Sequence, residues 1–340
     1  MRPISRVGAF FTLLAAILCS AACVLGHAQD NYGVYVACLD GSNVHMILSN
    51  PKQEMSHVRV SPDRQWITFT RYNQFGLKGT ASEDDGYNKT EILIARIDGS
   101  DVQTIVPPVD GAGNANSSWT PDGRGLVYCS NDNPSHLPQD MVIDLKTRMV
   151  SRLPTPTGLM VADPHWLGRR IVFTAIGKNR NVLWIMNDDG SGARELTEPP
   201  FSANPKNKQF GQGDYDPWLS PDTEKVAFMR MTANGTWHSM VIDVRTGKET
   251  DLTADLPEKG DNHDGVPEWS SDGKLLLLWH ANLKYPKTIG IYSVRPDGSD
   301  RKMLPLPRGY QHTHPGFFPG DGSSPRARII FGARRNPFLI

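Results

Sequence analysis

A short phrase built from Trp, Ser or Thr, Pro, Asp and Gly recurs along the chain and constrains the fold more than any other feature. Four clear copies and two degenerate ones, 47 to 59 residues apart, begin at Val60, Trp119, Trp166, Trp218, Trp269 and Phe317. Self-similarity at a period of several tens of residues is the sequence signature of repeat architectures such as solenoids and propellers. The repeat therefore predicts six structural units of one kind.

The same succession of strand-like runs follows each copy of the phrase. In the third unit, an apolar run over residues 171–173 is followed by a second run that ends at Asp189-Gly190, and residues 195–197 form a short third run. An Asp-Gly pair provides the positive φ angles that a two-residue hairpin turn requires. Together with the strand that leads into the phrase, each unit has four strands, and such units arranged around an axis form a β-propeller.

The two ends of the chain complement each other. Residues 31–48 contain two strand-like runs, which is the outer half of a unit, whereas residues 317–340 supply only an inner half. Pairing of these halves makes a sixth blade and closes the ring without a free sheet edge. We therefore predict an all-β fold over residues 29–340: a six-bladed β-propeller of four-stranded blades, closed by pairing of the N- and C-terminal strands.

Residues 1–28 are predicted to be a signal peptide. Arg2 and Arg6 precede an apolar stretch over residues 7–25, and residues 26–28 include the small side chains at which a signal peptidase cleaves. The stretch falls short of the roughly 20 apolar residues that a membrane span needs. We expect a periplasmic or secreted protein without a membrane span after cleavage, with lipid anchoring at Cys23 as the alternative.

Charge and cysteine content bear on the function classes. Lys plus Arg and Asp plus Glu are equal at 36 each, so that no net field favours nucleic acid, and we expect no nucleic-acid partner. The mature chain keeps Cys38 and Cys129, which fall in different repeats and are expected to remain unpaired thiols. The chain also lacks the Gly-x-Ser-x-Gly motif of serine esterases and peptidases.

Polar residues accumulate just ahead of the repeated phrases, where the inner strands would line the axial channel. They are His57, Asn116, Asp163, His165, Asp214, Asp216, His263, Asp264, Glu268 and residues 311–314. The ends of the second strands would add, at the same mouth of the channel, Arg71, Arg230, His280 and Arg334. Because arginine presents a fork that matches carboxylates, we predict a ligand site at this mouth formed by Arg71, Asp163, Asp216, Arg230 and Arg334.

The Trp-Ser-Pro-Asp-Gly phrase, the Asp-Gly turn and the Leu-Thr ending of the units resemble the repeats of TolB-like β-propellers. This resemblance covers nearly all of the mature chain. It implies the fold rather than one activity, since such repeats occur in scaffolds, lyases and peptidase accessory domains. The leading hypothesis is an exported, non-catalytic binding or scaffold protein, a monomer, whose channel mouth binds an envelope protein or an anionic oligosaccharide.

Two closely spaced histidines, His312 and His314, support an alternative function. On an extended strand they point to the same side, as two ligands of one ion must. Their segment also resembles the manganese site of the oligogalacturonate lyases, and this resemblance implies metal ligands at Gln311, His312 and His314, with His263 or His280 in addition. The neutral interpretation of the same histidines is that they line the channel and form hydrogen bonds there.

The alternative is thus a metal-dependent polysaccharide lyase that acts on uronate oligosaccharides. Manganese or another divalent metal would acidify the proton beside the uronate carboxylate, and a histidine would remove that proton. The candidates for this catalytic base are His165 and His263.

Overall fold

The computed structural model describes residues 32–72, 89–203, 212–256, 262–282 and 285–335. Blade 1 contains β3 (Glu54–Val60), β4 (Trp66–Tyr72), β5 (Glu91–Arg96) and β6 (Gln103–Val106). Blade 2 contains β7 (Asn114–Trp119), β8 (Gly125–Ser130), β9 (Gln139–Asp144) and β10 (Val150–Arg152). Blade 3 contains β11 (Met160–Leu167), β12 (Arg170–Ile176), β13 (Arg180–Asn187) and β14 (Arg194–Glu195).

The remaining strands complete the ring. Blade 4 contains β15 (Gln212–Leu219), β16 (Lys225–Met231), β17 (Trp237–Asp243) and β18 (Glu249–Asp251). Blade 5 contains β19 (Asn262–Trp269), β20 (Leu276–Asn282), the 3₁₀ turn Pro286–Thr288, β21 (Gly290–Val294) and β22 (Lys302–Met303). Blade 6 joins the C-terminal strands β23 (Tyr310–Phe317) and β24 (Arg328–Arg335) to the N-terminal strands β1 (Tyr32–Cys38) and β2 (His45–Asn50).

The predicted fold class is confirmed. Within the described ranges the strands form six four-stranded antiparallel units, of which blades 3 and 4 are linked by a short parallel contact of Arg180 with Gln212. Strand β1 pairs with β24 along its whole length, from Tyr32 opposite Arg334 to Cys38 opposite Arg328, which closes the ring as predicted. No helix in the described part of the chain is long and apolar enough to cross a membrane.

The core lies between neighbouring blades. Each inner strand contacts the inner strands of the adjacent blades, and β23 contacts β3 to complete the circle around the axis. Between blades 5 and 6, for example, Leu277 and Ile291 pack with Phe317 and Phe331, all of them buried. Burial of these apolar faces is the main favourable term that holds the blades together.

The repeated phrase forms the turn between the first and second strands of a blade. In blade 2, the Thr120 hydroxyl donates a hydrogen bond to Asp122 Oδ1 (2.7 Å) and accepts one from the Gly125 N–H (2.9 Å). Ser220 occupies the equivalent place in blade 4, because its N–H bonds the carbonyl five residues later, as that of Thr120 does. The repeat in blade 4 therefore begins at Leu219, one residue after the predicted Trp218.

The Asp-Gly turns differ from the prediction. In the β1–β2 hairpin the Cys38 N–H bonds the Ser42 carbonyl (2.8 Å), so the loop contains three residues, 39–41. Gly41 has a φ of 78°, whereas Asp40 is not among the residues with positive φ. The predicted two-residue turn is therefore wrong. A three-residue loop with glycine in the left-handed conformation matches the strand twist instead, and the aspartate accepts a hydrogen bond from the Ser42 N–H (3.0 Å).

Cys38 and Cys129 lie in different blades, in strands β1 and β8. Both are buried and free, which confirms the prediction of two unpaired thiols for the described residues. The predicted signal peptide, residues 1–28, lies outside the described residues.

Candidate functional site

Every inner strand carries a β-bulge at the same place, and the residue that opens it has a φ between 46° and 57°. These residues, here called the axial ring, are His57, Asn116, Asp163, Asp216, Val266 and His314. Positive φ is uncommon for residues other than glycine, and a bulge re-aims the side chain of the strand that carries it. Five of the six line a narrow cavity along the axis, and the sixth, His314, stacks on His57 with ring centroids 4.0 Å apart.

A sequence signal for the bulge exists. In four blades the axial-ring residue is followed by proline: Pro164, Pro217, Pro267 and Pro315. Proline cannot donate a hydrogen bond to a sheet, so within strands it occurs at bulges and edges. A proline at the same distance from the repeated phrase therefore indicates where a bulge interrupts the alternation of side chains along the strand.

The histidine side of the axial ring is closed by buried hydroxyls. The Ser56 hydroxyl is 2.6 Å from His314 Nδ1, and the Tyr72 hydroxyl is 3.2 Å from His57 Nδ1. Burial lowers the pKa of His314 to about 3, and burial together with His314 and Arg59 holds the pKa of His57 well below its usual range. Both imidazoles are therefore neutral at physiological pH. The Nε2 atom of each has no hydrogen-bond partner among the described residues.

The opposite side of the axial ring is acidic. Asn116 donates a hydrogen bond to Asp163 Oδ1, and the Thr174 hydroxyl donates one to Asp163 Oδ2 (3.1 Å). Desolvation raises the pKa of Asp163, and desolvation together with the charge of Asp163 raises the pKa of Asp216 well above its usual range. We therefore expect Asp163 to carry the negative charge of the pair and Asp216 to be neutral. The structure thus brings the predicted ligand residues Asp163 and Asp216 together.

A second layer of side chains lies two residues further along each strand, at Arg59, Ser118, His165, Trp218, Glu268 and Gly316. Arg59 is buried and pairs with Glu268 across the channel, with Nε 3.1 Å from Oε2. Its guanidinium lies 4.7 Å from the centre of the Trp218 ring. A Cβ on Gly316 would come within 2.8 Å of Glu268 Oε2, so glycine leaves the room that this carboxylate needs. Sequence reasoning missed Arg59, whose position relative to the repeated phrase matches that of His165 and Glu268.

Except for Gly316, the residues of this layer form the floor of a cavity of about 510 Å³ at the channel mouth. The wall of the cavity consists largely of aromatic residues and prolines: Trp119, Trp166, Trp269, Phe317, Pro62, Pro121, Pro221 and Pro319. The indole N–H groups of Trp119 and Trp269 donate to the carbonyls of Arg59 and Trp218, at 3.0 and 3.1 Å. These two tryptophans bond to neighbouring blades and also form part of the wall of the mouth.

His165, a candidate base, lies in the floor of this cavity. Its Nδ1 accepts a hydrogen bond from the Leu219 N–H (2.9 Å), and its ring centroid is 3.7 Å from that of Trp218. Burial and the nearby Arg59 hold its pKa well below the usual range. His263, the other candidate, lies at the far end of β19, opposite Ala281. The structure therefore does not bring the two candidates together.

The predicted ligand-binding arginines lie at the opposite face of the propeller, because the second strand of a blade ends beside the start of the inner strand. Arg71 pairs with Glu91 (2.7 Å), and Arg230 pairs with both Asp214 and Glu249 (2.6 Å each). These arginines bind carboxylates of their own blades.

Arg334 also lies away from the mouth, with its guanidinium 5.5 Å from the centre of the Tyr32 ring. It lines a small cavity between blades 6 and 1 together with Glu54 and Gln311. Burial raises the pKa of Glu54 to about 7, although the charge of Arg334 opposes this rise.

The proposed metal ligands occupy different surroundings. Gln311 lies in the cavity just described, and His312 packs against Tyr310 and Phe331, with ring centroids 6.4 and 5.2 Å away. His314 belongs to the axial ring, since the strand is not regularly extended at its φ of 46°. His312 and His314 therefore do not point to the same side of the strand, as they would if the strand were regularly extended.

His280, the last of the predicted ligands, has its Nδ1 3.0 Å from Asp264 Oδ1. Across the described ranges, no three His, Cys, Asp or Glu side chains are grouped so that they could hold a metal ion. Metal binding by Gln311, His312, His314, His263 and His280 stays a prediction from the sequence.

The ring of six blades around an axial channel defines a six-bladed β-propeller, and its fold is similar to that of solved TolB structures. The putative TolB from Agrobacterium tumefaciens superposes with a TM-score of 0.64 and 11% identity, covering 90% of this chain and 99% of that one. TolB from Acinetobacter baumannii superposes with a TM-score of 0.54 and 15% identity, over 95% of this chain and 68% of that one. At these identities the likeness establishes the fold, as the sequence predicted.

Similarity in sequence is more limited. The uncharacterized protein Atu1656 of Agrobacterium fabrum is 27% identical over 163 residues, which cover 46% of this chain and 50% of that protein. The chain thus matches half the length of this relative. No protein-family model matches the chain. An oligogalacturonate lyase from Vibrio parahaemolyticus superposes with a TM-score of only 0.49 and 12% identity, over 87% of this chain and 82% of that one.

Proposed function

We propose that this protein is an exported, non-catalytic propeller that binds a segment of an envelope protein at the channel mouth. The observation that supports this most is the cavity of about 510 Å³ with its wall of tryptophans and prolines. Aromatic side chains and arginine are enriched at the centres of protein interfaces, where they fill or line desolvated pockets. The predicted leader over residues 1–28 supports the export part of the proposal.

The polar floor of the mouth favours binding over catalysis. Arg59 is already paired with Glu268, and the His165 Nδ1 is engaged by the Leu219 N–H. A general base must reach a proton of the substrate with a free lone pair and a pKa near the working pH. The pKa of His165 is held well below this range, so its ring serves as part of the cavity floor instead.

The test compares two Trp→Ala variants of the mature protein. Trp218 is half-buried in the mouth, whereas Trp66 is half-buried under Arg96 on β4, outside the residues that line the mouth. Each immobilised variant is incubated with envelope extract, and the retained proteins are identified by mass spectrometry. We expect a partner retained by the native protein and by Trp66→Ala, with retention by Trp218→Ala reduced about tenfold or more, as for a central interface residue.

Two outcomes would count against this function. A partner retained equally by Trp218→Ala would show that the mouth does not bind it. Formation of an unsaturated, ultraviolet-absorbing product from oligogalacturonate by the same preparation would overturn the non-catalytic part and revive the lyase alternative.

A further inference from the structure

A second cavity, of about 520 Å³, lies away from the axis between blades 5 and 6. Its walls come from the β1–β2 turn, the β21–β22 hairpin and the loop between β23 and β24; we call it the side groove. The residues that decide its chemistry are Leu39, Lys274, Arg295, Lys302, Met303 and Leu304.

The side groove exists because blade 6 departs from the repeat. The loop between β23 and β24 spans residues 318–327, whereas the equivalent turn of blade 2 spans only residues 120–124. The long loop crosses onto blade 5, where the Ser323 N–H and hydroxyl donate to Asp272 Oδ2 at 3.1 and 2.8 Å. Its Pro319 lines the mouth and its Pro325 lines the groove, so the loop is a fixed wall between the two cavities.

The lining of the side groove combines an apolar floor with a cationic rim. Leu39 and Leu304 are buried, and Met303 presents partly exposed apolar surface beside them. At the rim, Arg295 is paired with Asp300 (3.2 Å). Lys302 lines the same rim and has no ion pair within the described ranges. Asp40, the other acid of the lining, is paired with Arg326 (3.5 Å), so Lys302 leaves the rim with an uncompensated positive charge next to apolar surface.

The backbone at the groove is also open to a partner. Strand β22 (Lys302–Met303) is the outermost strand of blade 5, and in the described part of the chain it pairs with β21 alone. An extended peptide can add to such an edge by main-chain hydrogen bonds. Side chains of an extended peptide alternate between two sides, so apolar residues can enter the floor while carboxylates reach the rim.

We propose that the side groove binds an extended segment of a partner protein in which apolar and acidic residues alternate. This site is separate from the channel mouth and does not require the function proposed for the mouth. Opposite charge at an exposed rim contributes mainly to specificity and association rate, while the apolar side chains and the strand edge provide affinity.

The test measures fluorescence anisotropy of a labelled hexapeptide of alternating glutamate and leucine, titrated with the full mature protein. We expect saturable binding that weakens with added salt, and no binding of the matched lysine–leucine peptide. Lys302→Glu should weaken binding by about tenfold, since an attraction becomes a repulsion. Lys248→Glu is the matched control, because Lys248 is an exposed lysine next to the outermost strand of blade 4, and it should bind as the native protein does.

The outcomes separate this site from the mouth. Binding that survives Trp218→Ala and falls with Lys302→Glu or Met303→Ser supports the side groove even if the mouth binds no partner. Failure of the acidic peptide to bind, equal binding by Lys302→Glu, or binding lost only with Trp218→Ala would overturn it. Binding of dodecanoate without binding of the peptide would also overturn it, since the occupant would then be a lipid.

Discussion

The turn aspartates and the axial acids can be compared directly, because both belong to the inner strands of the blades or to the turns that follow them. Each turn aspartate accepts hydrogen bonds from a hydroxyl and from backbone N–H groups within a few residues of it. The Thr120 hydroxyl and the Arg124 N–H lower the pKa of Asp122. The hydroxyls of Ser270 and Ser323, with the N–H groups of Lys274 and Ser323, lower the pKa of Asp272 to about 2 against the opposing effect of burial. Both carboxylates are therefore charged at physiological pH.

The acids near the axis have the opposite electrostatics. Burial raises the pKa of Glu268, although the charge of Arg59 opposes this rise. The pKa of Asp216 lies well above its usual range because burial and the negative charge of Asp163 both raise it. Burial also raises the pKa of Glu54, which lies between blades 6 and 1, to about 7. Local hydrogen bonds thus fix the turns of blades 1, 2, 4 and 5, whereas burial disfavours the charged form of the acids near the axis. Such perturbed groups are typical of sites that meet a ligand.

The largest effect is expected from Arg59→Met. This change leaves Glu268 in the channel without its cation, and loss of one partner of a buried pair costs about 3–5 kcal/mol. Urea unfolding measures this loss. The matched control is Arg64→Met, which removes the exposed pair with Asp321 and should cost less than about 1 kcal/mol. Equal effects of the two changes would show that the axial pair is no more sensitive than a surface pair.

Glu54→Gln tests the pH dependence of an axial acid. Because the pKa of Glu54 is raised in the folded protein, its contribution to stability is fully present below the unfolded pKa of about 4.3 and is lost as the pH rises through about 7. The amide removes this loss, so Glu54→Gln should stabilise the protein by on the order of 3 kcal/mol at pH 8 and leave it unchanged at pH 4. Urea titrations at pH 4, 6 and 8 check this. A parallel shift at all three values would contradict the assigned pKa.

The contrast between turns and axis also explains what the sequence could predict. The turn network closes within a few residues, as from Thr120 to Gly125, so the same residue types recur at each copy and reveal the number of blades and the closure of the ring. The axial ring depends on a bulge, which breaks the alternation of side chains on which the prediction for His312 and His314 relied. The prolines after the bulge residues were the available signal.

The arginines were misplaced for a different reason. Arg71 and Arg230 end strands that run away from the mouth, and their partners Glu91 and Glu249 come from other strands of the same blade, 20 and 19 residues later. Hydropathy and spacing do not show which charges will pair inside a blade. Arg59 was missed because Glu268, its partner, lies four blades further along the chain.

A single substitution, Asp→Asn, applied to both regions should give the smallest effects and the most direct comparison. In the turn, Asp122→Asn replaces a charged acceptor of the Thr120 hydroxyl and the Arg124 N–H by a weaker neutral one, which should cost about 1 kcal/mol at pH 7. At the axis, burial and Asp163 hold the pKa of Asp216 well above its usual range, so Asp216→Asn, which exchanges the carboxyl for an amide of the same size, should cost less than Asp122→Asn.

The dependence of unfolding free energy on pH provides the control for the comparison of Asp122→Asn with Asp216→Asn. The cost of Asp122→Asn should shrink as the pH falls through the lowered pKa of Asp122, because the native carboxylate is then protonated and loses its own advantage. The effect of Asp216→Asn should change less with pH, because burial and the charge of Asp163 hold the pKa of Asp216 well above its usual range. Urea unfolding at several pH values measures both. A cost of Asp216→Asn that grows with pH would show instead that Asp216 carries a charge, with Arg59 as its counter-ion.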